Sequence, residues 1–217
     1  MVRLPKAAAD EALARRLIQA GIELFWRKGF AETNTRDIAQ LCGVSPGAMY
    51  FHYDSKQKLL FTLLMETHGR IEKQYLAALS EAGSDPARQL YALVYAAAQF
   101  HAANYKEAVI AHREFKYLED PYYDQVVGAR RHIQSIYETV VGRGLSSGAF
   151  TAPKGVGSRP ARQLTIALGN VYNQIAEWFD PTNELTPEEL AEFYANLAMR
   201  MVGAERPGTT RATRKTR

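Results

Sequence analysis

Apolar residues recur every three or four positions through almost the whole of this chain, and alternation with a period of two is almost absent. A spacing of three and four places side chains on one face of an α-helix. Between Ala12 and Lys28 one such stripe consists of Leu13, Leu17, Ile18, Gly21, Leu24 and Phe25. The sequence therefore predicts an all-α fold, with Gly29 ending the first helix.

Two short helical segments follow, and each has its own start and stop signals. Thr35 is predicted to be the N-cap of a helix over residues 36–42, which Gly43 ends. Ser45 is predicted to cap a second helix, which has Pro46 at its first position and extends to about His52. Because helices this short bury little surface, they must pack on longer neighbours. The pattern is typical of a helix-turn-helix, whose second helix enters the major groove of DNA.

Aromatic rings are crowded at the end of the second short helix, from Tyr50 to Tyr53. Met49 and Tyr53 are four positions apart and are predicted to anchor the helix in the core. Tyr50 and His52 lie on the other side, where a phenol and an imidazole can donate hydrogen bonds to phosphates. Phe51 fits either environment. The alternative is that the whole cluster is core, but the consistent spacing of the caps and glycine breaks around it favours contact with DNA.

Small residues begin the second short helix, which permits a close approach to base edges. Lys56, at the start of the next helix, can place its ammonium group on a phosphate. The full set of predicted DNA-binding residues is Thr35, Arg36, Ser45, Pro46, Gly47, Ala48, Tyr50, Phe51, His52 and Lys56.

A larger helical body is predicted after these segments. Ser55 is expected to cap a long helix from Lys56 to about Leu79, and a break follows at Gly83 to Pro86. Further helices are expected at about 87–103, 105–118, 122–146, 160–179 and 187–202. The predicted domains are a helix-turn-helix domain over 1–54, a helical ligand-binding and dimerisation domain over 55–204, and a basic disordered tail over 205–217.

The formal net charge of +4 is unevenly distributed along the chain. Residues 1–56 carry a net charge of +2, residues 57–205 a net charge of −3, and residues 206–217 a net charge of +5. Positive ends on a mildly acidic body fit a chain that presents selected surfaces to a polyanion. A basic tail that is merely solvated is the alternative for the last segment.

The sequence also limits the cellular location of the protein and the chemistry of its single cysteine. No apolar run reaches the about 18 residues that span a bilayer, and residues 1–10 lack the apolar core of a signal peptide. We therefore expect a cytoplasmic protein that does not contact a membrane. Cys42 is the only cysteine, so an internal disulfide and a two-cysteine zinc site are excluded. The thiol is predicted to pack in the core.

Residues 17–60, LIQAGIELFWRKGFAETNTRDIAQLCGVSPGAMYFHYDSKQKLL, resemble the DNA-binding domain of TetR-type transcriptional regulators. The family signature Y-x-H-Y/F-x-S-K is met by Tyr50, His52, Tyr53, Ser55 and Lys56. The resemblance implies a homodimeric repressor whose C-terminal body binds a small molecule and whose dimer binds a double-stranded operator.

The resemblance also implies roles for individual residues. Family base contacts fall on the positions of Arg36, Ser45, Gly47 and Ala48, and phosphate contacts on those of Thr35, Tyr50, His52 and Lys56. Because Gly47 and Ala48 offer little side chain, operator specificity is expected to depend on Arg36, backbone approach and DNA shape.

Polar residues interrupt the apolar faces of the body, and they are the candidate effector contacts. The predicted set is His101, Tyr105, His112, Arg113, Lys116, Tyr117, Asn170, Asn173 and Gln174. Neither His101 nor His112 has the ligand four residues away that a helical metal site requires, so no metal and no cofactor are expected.

Three segments of the body, HREFKYLEDPYYDQV, GLSSGAF and IAEWFDPTNELTPEELAEFYANLAMRMV, resemble TetR-type regulators that sense acyl-CoA thioesters. That resemblance implies an apolar tunnel for the acyl chain, with Arg113, Lys116 or Arg130 meeting phosphates of the CoA.

Dimerisation is expected through helices at about 126–145 and 160–179, by analogy with the family. The second of these carries more apolar surface than one stripe needs, and its small Ala167 and Gly169 allow close approach of another helix. A domain core would explain the same surface.

Two other functions stay open at this point. One is a nonspecific or architectural DNA-binding protein that uses the basic tail. The other is an enzyme on a helical scaffold, which is disfavoured because the chain has no glycine-rich phosphate loop, G-x-S-x-G or H-E-x-x-H motif.

Overall fold

The three-dimensional structure is a computed structural model that describes residues 6–155, 157–182 and 185–207. Helices dominate this part of the chain, and it contains no β-strand. The predicted all-α fold class is confirmed. None of the helices in these ranges has the length and apolar character required to cross a membrane.

Ten α-helices and one short 3-10 turn follow each other in the described residues. Their bounds are α1 Lys6–Glu32, α2 Thr35–Leu41, α3 Pro46–His52, α4 Lys56–Ala82, α5 Pro86–Ala103, α6 Tyr105–Arg113, the 3-10 turn Phe115–Tyr117, α7 Tyr122–Ser146, α8 Pro160–Asn173, α9 Ile175–Trp178 and α10 Pro187–Met201. Gly29 interrupts α1 with a φ of 79°. Gly29, where the first helix was predicted to end, is therefore a break within α1, and one further short helical turn extends to Glu32.

Two of the predicted helices are each divided in the structure. The segment over 105–118 ends as an α-helix at Arg113 and continues as the 3-10 turn. The segment over 160–179 divides at Gln174, where the N–H of Glu177 donates to the Gln174 carbonyl at 3.0 Å instead of reaching one residue further back. In both places the local turn tightens, which an apolar periodicity does not reveal.

The described residues belong to two compact units. Unit 1 combines the chain up to Arg70 with Asn104–Arg131, and unit 2 combines Ile71–Ala103 with the chain from His132 onward. The long helices α4 and α7 contribute one part to each unit. The functional division at residue 54 stays a prediction. Of the predicted tail, residues 208–217 lie outside the described residues, and Arg206 pairs with Glu192 at 2.8 Å.

The core of unit 1 is built on α1 and the first half of α4. Its fully buried members include Leu17, Phe25, Ile38, Met49 and Leu59. Gly21 permits the close approach of α4, because a Cβ atom at this position would lie 2.5 Å from Cδ2 of Leu59. The two short helices are thereby packed on longer neighbours, as the sequence requires.

The core of unit 2 surrounds α5, which packs against α8, α9 and α10. Its fully buried side chains include Leu90, Leu93, Tyr75 and Tyr137. The Tyr137 hydroxyl donates to the Leu93 carbonyl at 2.9 Å, so this buried phenol is satisfied.

Two glycines on α7 provide a stability test of unit 2. A Cβ at Gly144 would lie 2.0 Å from Cδ2 of the buried Phe150 ring, whereas a Cβ at Gly142 would meet only Cβ of Ala161 at 3.9 Å. We expect Gly144→Ala to lower the free energy of unfolding by about 1–3 kcal/mol through overpacking. Gly142→Ala is the matched control and should be neutral or stabilising by up to about 1 kcal/mol, because alanine favours the helix. Urea unfolding followed by circular dichroism distinguishes the two, and equal stabilities would contradict the packing described here.

Candidate functional site

The start of α2 differs from the prediction. Oδ1 of Asn34 accepts the N–H of Asp37 at 2.8 Å, and the N–H of Asn34 donates to the Asp37 carboxylate at 3.4 Å. This reciprocal pair is a capping box, so Asn34 is the N-cap. The prediction that Thr35 caps the helix was wrong, because Thr35 is already its first helical residue. The Thr35 hydroxyl is hydrogen-bonded to the Tyr50 hydroxyl at 3.0 Å, which joins α2 to α3.

Asp37 is also held by a cation from α1. The Lys28 ammonium donates to its Oδ2 at 2.5 Å. That hydrogen bond is the main reason why the pKa of the Asp37 carboxyl is lowered, and the hydrogen bond from the Asn34 backbone contributes in the same direction. The carboxylate is therefore ionised when it caps α2.

The start of α3 follows the prediction. The Ser45 hydroxyl oxygen accepts the N–H of Ala48 at 3.2 Å, and Pro46 occupies the first helical position. Met49 and Tyr53 are buried, which confirms that they anchor the helix in the core. The Tyr53 hydroxyl donates to the Ala14 carbonyl of α1 at 3.4 Å.

The outward-facing residues of α2 and α3 form one surface, which we call the α2–α3 surface. Arg36, Ser45, Pro46, Gly47, Tyr50 and Phe51 are exposed on it, and Thr35, Ala48 and His52 are half-buried. The Phe51 side chain is 76% exposed, and the edge of one ring faces the other in its contact with His52. The surface thus presents a guanidinium, hydroxyl groups, small residues and an apolar ring. Met49 and Tyr53 anchor α3 in the core beneath this surface.

Lys56 is bound within the protein. Its Nζ donates to the carbonyls of Phe30 at 2.7 Å and Thr33 at 2.6 Å, and it lies 4.1 Å from the centre of the Phe30 ring. Burial lowers the pKa of this ammonium group. Because two of its three donors are used, Lys56 ties the end of α1 to the start of α4. Its contact with a phosphate stays a prediction that relies on the third donor.

Helix α6 supports α1 from within unit 1. Nζ of Lys106 donates to the Glu23 carboxylate at 2.7 Å and lies 4.4 Å from the centre of the Trp26 ring. This bond is the main cause of the lowered pKa of Glu23. At the other end, Oε2 of the buried Glu114 accepts the N–H of Phe30 at 3.2 Å. These contacts were not found by sequence reasoning, because charged residues on helices look like a solvated face.

Two predicted effector residues lie in this α1–α6 contact. The Tyr105 ring packs edge-on against Trp26 with their centres 6.0 Å apart, and the Tyr117 ring stacks on Phe30 at 5.8 Å. The Tyr117 carbonyl also accepts a hydrogen bond from Nε2 of Gln57 at 2.9 Å. Their roles as effector contacts stay predictions.

The other predicted effector residues lie in both units. His112, Arg113 and Lys116 belong to unit 1, where Arg113 and Lys116 are exposed. Asn170, Asn173 and Gln174 belong to unit 2 and are exposed or half-buried. Of the nine predicted effector residues, five therefore lie in unit 1 and four, including His101, lie in unit 2.

His101 stands apart because it is buried in unit 2. Its Nδ1–H donates to the Ala97 carbonyl at 2.7 Å, and burial lowers its pKa to about 4. Its ring centre lies 5.8 Å from that of Tyr172, which in turn stacks on Tyr137 at 5.5 Å. Burial raises the pKa of Tyr172 to about 12, so both groups are neutral at pH 7.

Cys42 is buried, and its Sγ donates to the Arg16 carbonyl at 3.3 Å, while Arg16 donates to the Cys42 carbonyl. Burial raises the pKa of the thiol. The predicted packing role is confirmed. In the ranges that the structure describes, no three His, Cys, Asp or Glu side chains are grouped as a metal site would require.

Comparison with known families accounts for this arrangement. Residues 17–63 match the bacterial regulatory proteins of the tetR family, and residues 83–202 match the tetracyclin repressor-like C-terminal domain. The chain belongs to the TetR family. The resemblance predicted for its N-terminal segment is therefore confirmed, and this TetR-family chain is a transcriptional regulator by family.

Individual relatives agree with this family. The transcriptional repressor KstR2 of Mycolicibacterium smegmatis is 24% identical over 199 residues, which cover 90% of each chain. A bacterial regulatory protein of the tetR family from Rhodococcus RHA1 has a structure that matches with a TM-score of 0.79 at 29% identity, covering 88% of this chain and 97% of that one. AibR in complex with isovaleryl coenzyme A and operator DNA matches with a TM-score of 0.74 at 18% identity, over 85% of this chain and 97% of that one. At 18% identity, the match to AibR shows a shared fold only. The chain spans 58% of the length of two further curated relatives, at 32% identity.

The position of Lys56 leads to a stability prediction. Lys56→Met would leave two backbone carbonyls without their charged donor, so we expect the free energy of unfolding to fall by about 2 kcal/mol. Lys73→Met changes an exposed lysine on the same helix and serves as the control. Urea unfolding of both variants tests this, and a Lys56→Met protein as stable as the control would show that the bonds contribute little.

The burial of His101 leads to a pH prediction. Its folded-state pKa of about 4 lies below the ordinary 6.5, so the unfolded chain binds the proton more readily. The stability from the neutral ring is therefore complete above pH 6.5 and is lost as the pH falls towards 4, at about 1.4 kcal/mol per pH unit. His101→Asn should reduce the loss of thermal stability over this range. His132→Asn, which changes an exposed histidine, should retain it. Parallel losses in both variants would exclude His101 as the cause.

Proposed function

We propose that this TetR-family chain is a ligand-responsive repressor that binds a palindromic operator as a homodimer and is released by a small apolar or acyl-CoA-like effector. The observation that carries the proposal is the α2–α3 surface, on which four of the positions that the family resemblance assigns to DNA are exposed, namely Arg36, Ser45, Gly47 and Tyr50.

DNA recognition is proposed to occur with α3 in the major groove. The exposed Ser45, Pro46 and Gly47 present almost no side-chain bulk, so the backbone can approach the base edges closely. Arg36 is the long exposed donor of this surface, and we assign it the main base contact. Tyr50, oriented by its bond to Thr35, together with His52 and the third donor of Lys56, is assigned to phosphates.

Phe51 has no donor and is assigned an apolar contact. With 76% of its side chain exposed, it is costly to leave in water and is suited to a thymine methyl group or a deoxyribose. The resulting readout combines one guanidinium, close backbone approach and DNA shape.

Dimerisation is proposed through the C-terminal helices of unit 2. Ile166 on α8, Trp178 on α9 and Phe193 on α10 are exposed by 43%, 48% and 59%. From residue 132 onward, α7 instead directs its large apolar side chains, such as Tyr137, Val140 and Val141, into the core. Of the two predicted segments, 160–179 is therefore the better supported, and we add α10 to it in place of 126–145. Two copies would present two α2–α3 surfaces to half-sites about one turn of DNA apart.

The effector class is proposed from the acyl-CoA-like segments of the sequence and from the shared fold with AibR, which binds isovaleryl coenzyme A. Release requires that the effector bind more tightly to a conformation whose two α3 helices do not fit successive major grooves. The nonspecific tail-based alternative has no comparable support, and the relatives of the chain are transcriptional regulators.

The test is a gel-shift titration on the DNA upstream of the gene, with and without a pool of acyl-CoA thioesters. We expect salt-sensitive, sequence-specific binding that the pool reverses. Arg36→Ala should weaken binding by about 10-fold to 100-fold, because a base-edge contact of about 1–3 kcal/mol is lost. Arg88→Ala removes an arginine from the surface of α5 in unit 2 and should leave the affinity unchanged.

The outcomes separate the components of the proposal. Specific binding that ignores the pool would retain the repressor and exclude the effector class. Equal affinity for random DNA would exclude the operator, and loss of all binding on truncation after Ala204 would favour the basic tail.

A further inference from the structure

A break in α1 leaves one backbone N–H group to be satisfied from another helix. Gly29 has a φ of 79° and a ψ of 165°, a backbone conformation that favours glycine, and Phe30–Glu32 form one more turn beyond it. In a continuous helix the N–H of Phe30 would donate to the carbonyl of Trp26. Here it donates to Oε2 of Glu114, which lies 84 residues further along the chain, at 3.2 Å. A carboxylate from the end of α6 therefore caps the last turn of α1.

The Glu114 carboxylate is held in place at this break. Its side chain is buried, and a Cβ atom at Gly29 would lie 3.7 Å from its Oε1, so the carboxylate covers the break. The N–H of Glu114 donates to the Ile110 carbonyl at 2.9 Å, and its carbonyl accepts the N–H of Tyr117 at 3.0 Å. A buried carboxylate and a buried N–H are both costly to leave without a partner. The bond to Phe30 therefore fixes the last turn of α1 against α6.

The same turn is bound on its carbonyl side by groups from the N-terminal part of the chain. The Thr33 hydroxyl donates to the Gly29 carbonyl at 2.8 Å, and Nζ of Lys56 donates to the carbonyls of Phe30 and Thr33. Asn34, the N-cap of α2, is the next residue. The direction of this turn therefore sets where α2 begins.

The break lies between two attachments of α2. Lys28 precedes the break and binds Asp37 of α2 at 2.5 Å, whereas Asn34 follows it and caps the same helix. A rotation of the chain at Gly29 would move one attachment relative to the other and tilt α2. Arg36, the second residue of α2, carries the main base contact assigned above, so a tilt would displace its guanidinium from the base edge.

We propose that Glu114 is a positioning residue for operator recognition: by capping the last turn of α1 at the Gly29 break, it sets the orientation of α2 and thereby of the Arg36 guanidinium. Glu114 itself touches no DNA in this role. The inference rests on the proposed function, which it deepens by naming a residue outside the helix-turn-helix segment that determines how that segment reads the operator. It does not depend on the identity of the effector.

The first test compares sequence-specific with sequence-independent DNA binding. The variants are Glu114→Ala, Glu114→Gln, which retains an acceptor oxygen, and the control Glu107→Ala, which removes another α6 carboxylate whose partner is Arg70 of α4. Each protein is titrated with operator and with random DNA, well below the unfolding temperature of every variant. Glu114→Ala should bind the operator about tenfold more weakly, because Arg36 is misplaced, but should bind random DNA as wild type does, because that binding uses phosphate contacts. Glu114→Gln and Glu107→Ala should retain both affinities.

A double-mutant cycle tests whether Glu114 acts through Arg36. Arg36→Ala should weaken operator binding less in the Glu114→Ala protein than in wild type, because the contact that it removes is already impaired. Two residues that act independently would give additive losses. Additive losses would therefore overturn the positioning role.

Hydrogen exchange at the Phe30 amide provides a readout that needs no DNA. Exchange should be at least about tenfold faster in Glu114→Ala than in wild type and should stay slow in Glu114→Gln, because only the alanine variant lacks an acceptor. If Glu114→Ala does not fold, Glu114→Asp replaces it in all three measurements, since its carboxylate is one methylene further from the Phe30 N–H.

The remaining outcomes separate this inference from the proposed function. Wild-type operator affinity in Glu114→Ala, or equal losses on operator and random DNA, would refute the positioning role and leave the repressor intact. Absent operator binding by the wild-type protein would instead refute the repressor. The exchange rates of the Phe30 amide would then still decide whether Glu114 fixes the last turn of α1, and equal rates in wild type and Glu114→Ala would exclude it.

Discussion

Two helices of seven residues each cannot hold their own shape, and the DNA-binding half of this protein is built around that constraint. Their stability comes from α1 and α4, which approach each other closely at Gly21 and Leu59. The ammonium group of Lys56 closes the same arrangement by binding two carbonyls at the end of α1. Met49 and Tyr53 then fasten α3, and the remaining side chains of α3 are free to face outward.

The same constraint explains why α6 is tied so firmly to α1. The short helix α3 can keep its orientation only if α1, to which the Tyr53 hydroxyl is hydrogen-bonded, keeps its own. Lys106 and Glu114 bind the two ends of the last part of α1, and aromatic contacts through Trp26 and Phe30 fill the space between them. A ligand that moves α6 within unit 1 would therefore act on α1 through bonds of specific geometry. Arg130, which binds the α6 carbonyl of Ala111, is attached to the same helix.

Much of the local structure was predictable because it depends on neighbouring residues in the sequence. Ser45 and Pro46 begin α3 as expected, since a hydroxyl cap and a missing N–H act within one turn. Thr35 was assigned the cap in place of Asn34, because both residue types cap helices well and only the backbone shows which of them is extended. Lys56 was assigned to phosphate only, since its second role needs carbonyls that lie far away in the sequence.

The sequence by itself determined the helical fold, the positions of most helices, the anchors of α3 and the family, because periodicity, caps and an ordered motif are all local signals. Tertiary structure decided which charged groups are buried and what they touch. The bonds of Lys56, the burial of His101 and the contacts of the Arg130 guanidinium with Ala111 and Phe115 each depend on segments that come together only on folding. The sequence does not show whether a charged side chain lies in water or in the core, although the free energy of the charge differs between the two environments by several kcal/mol.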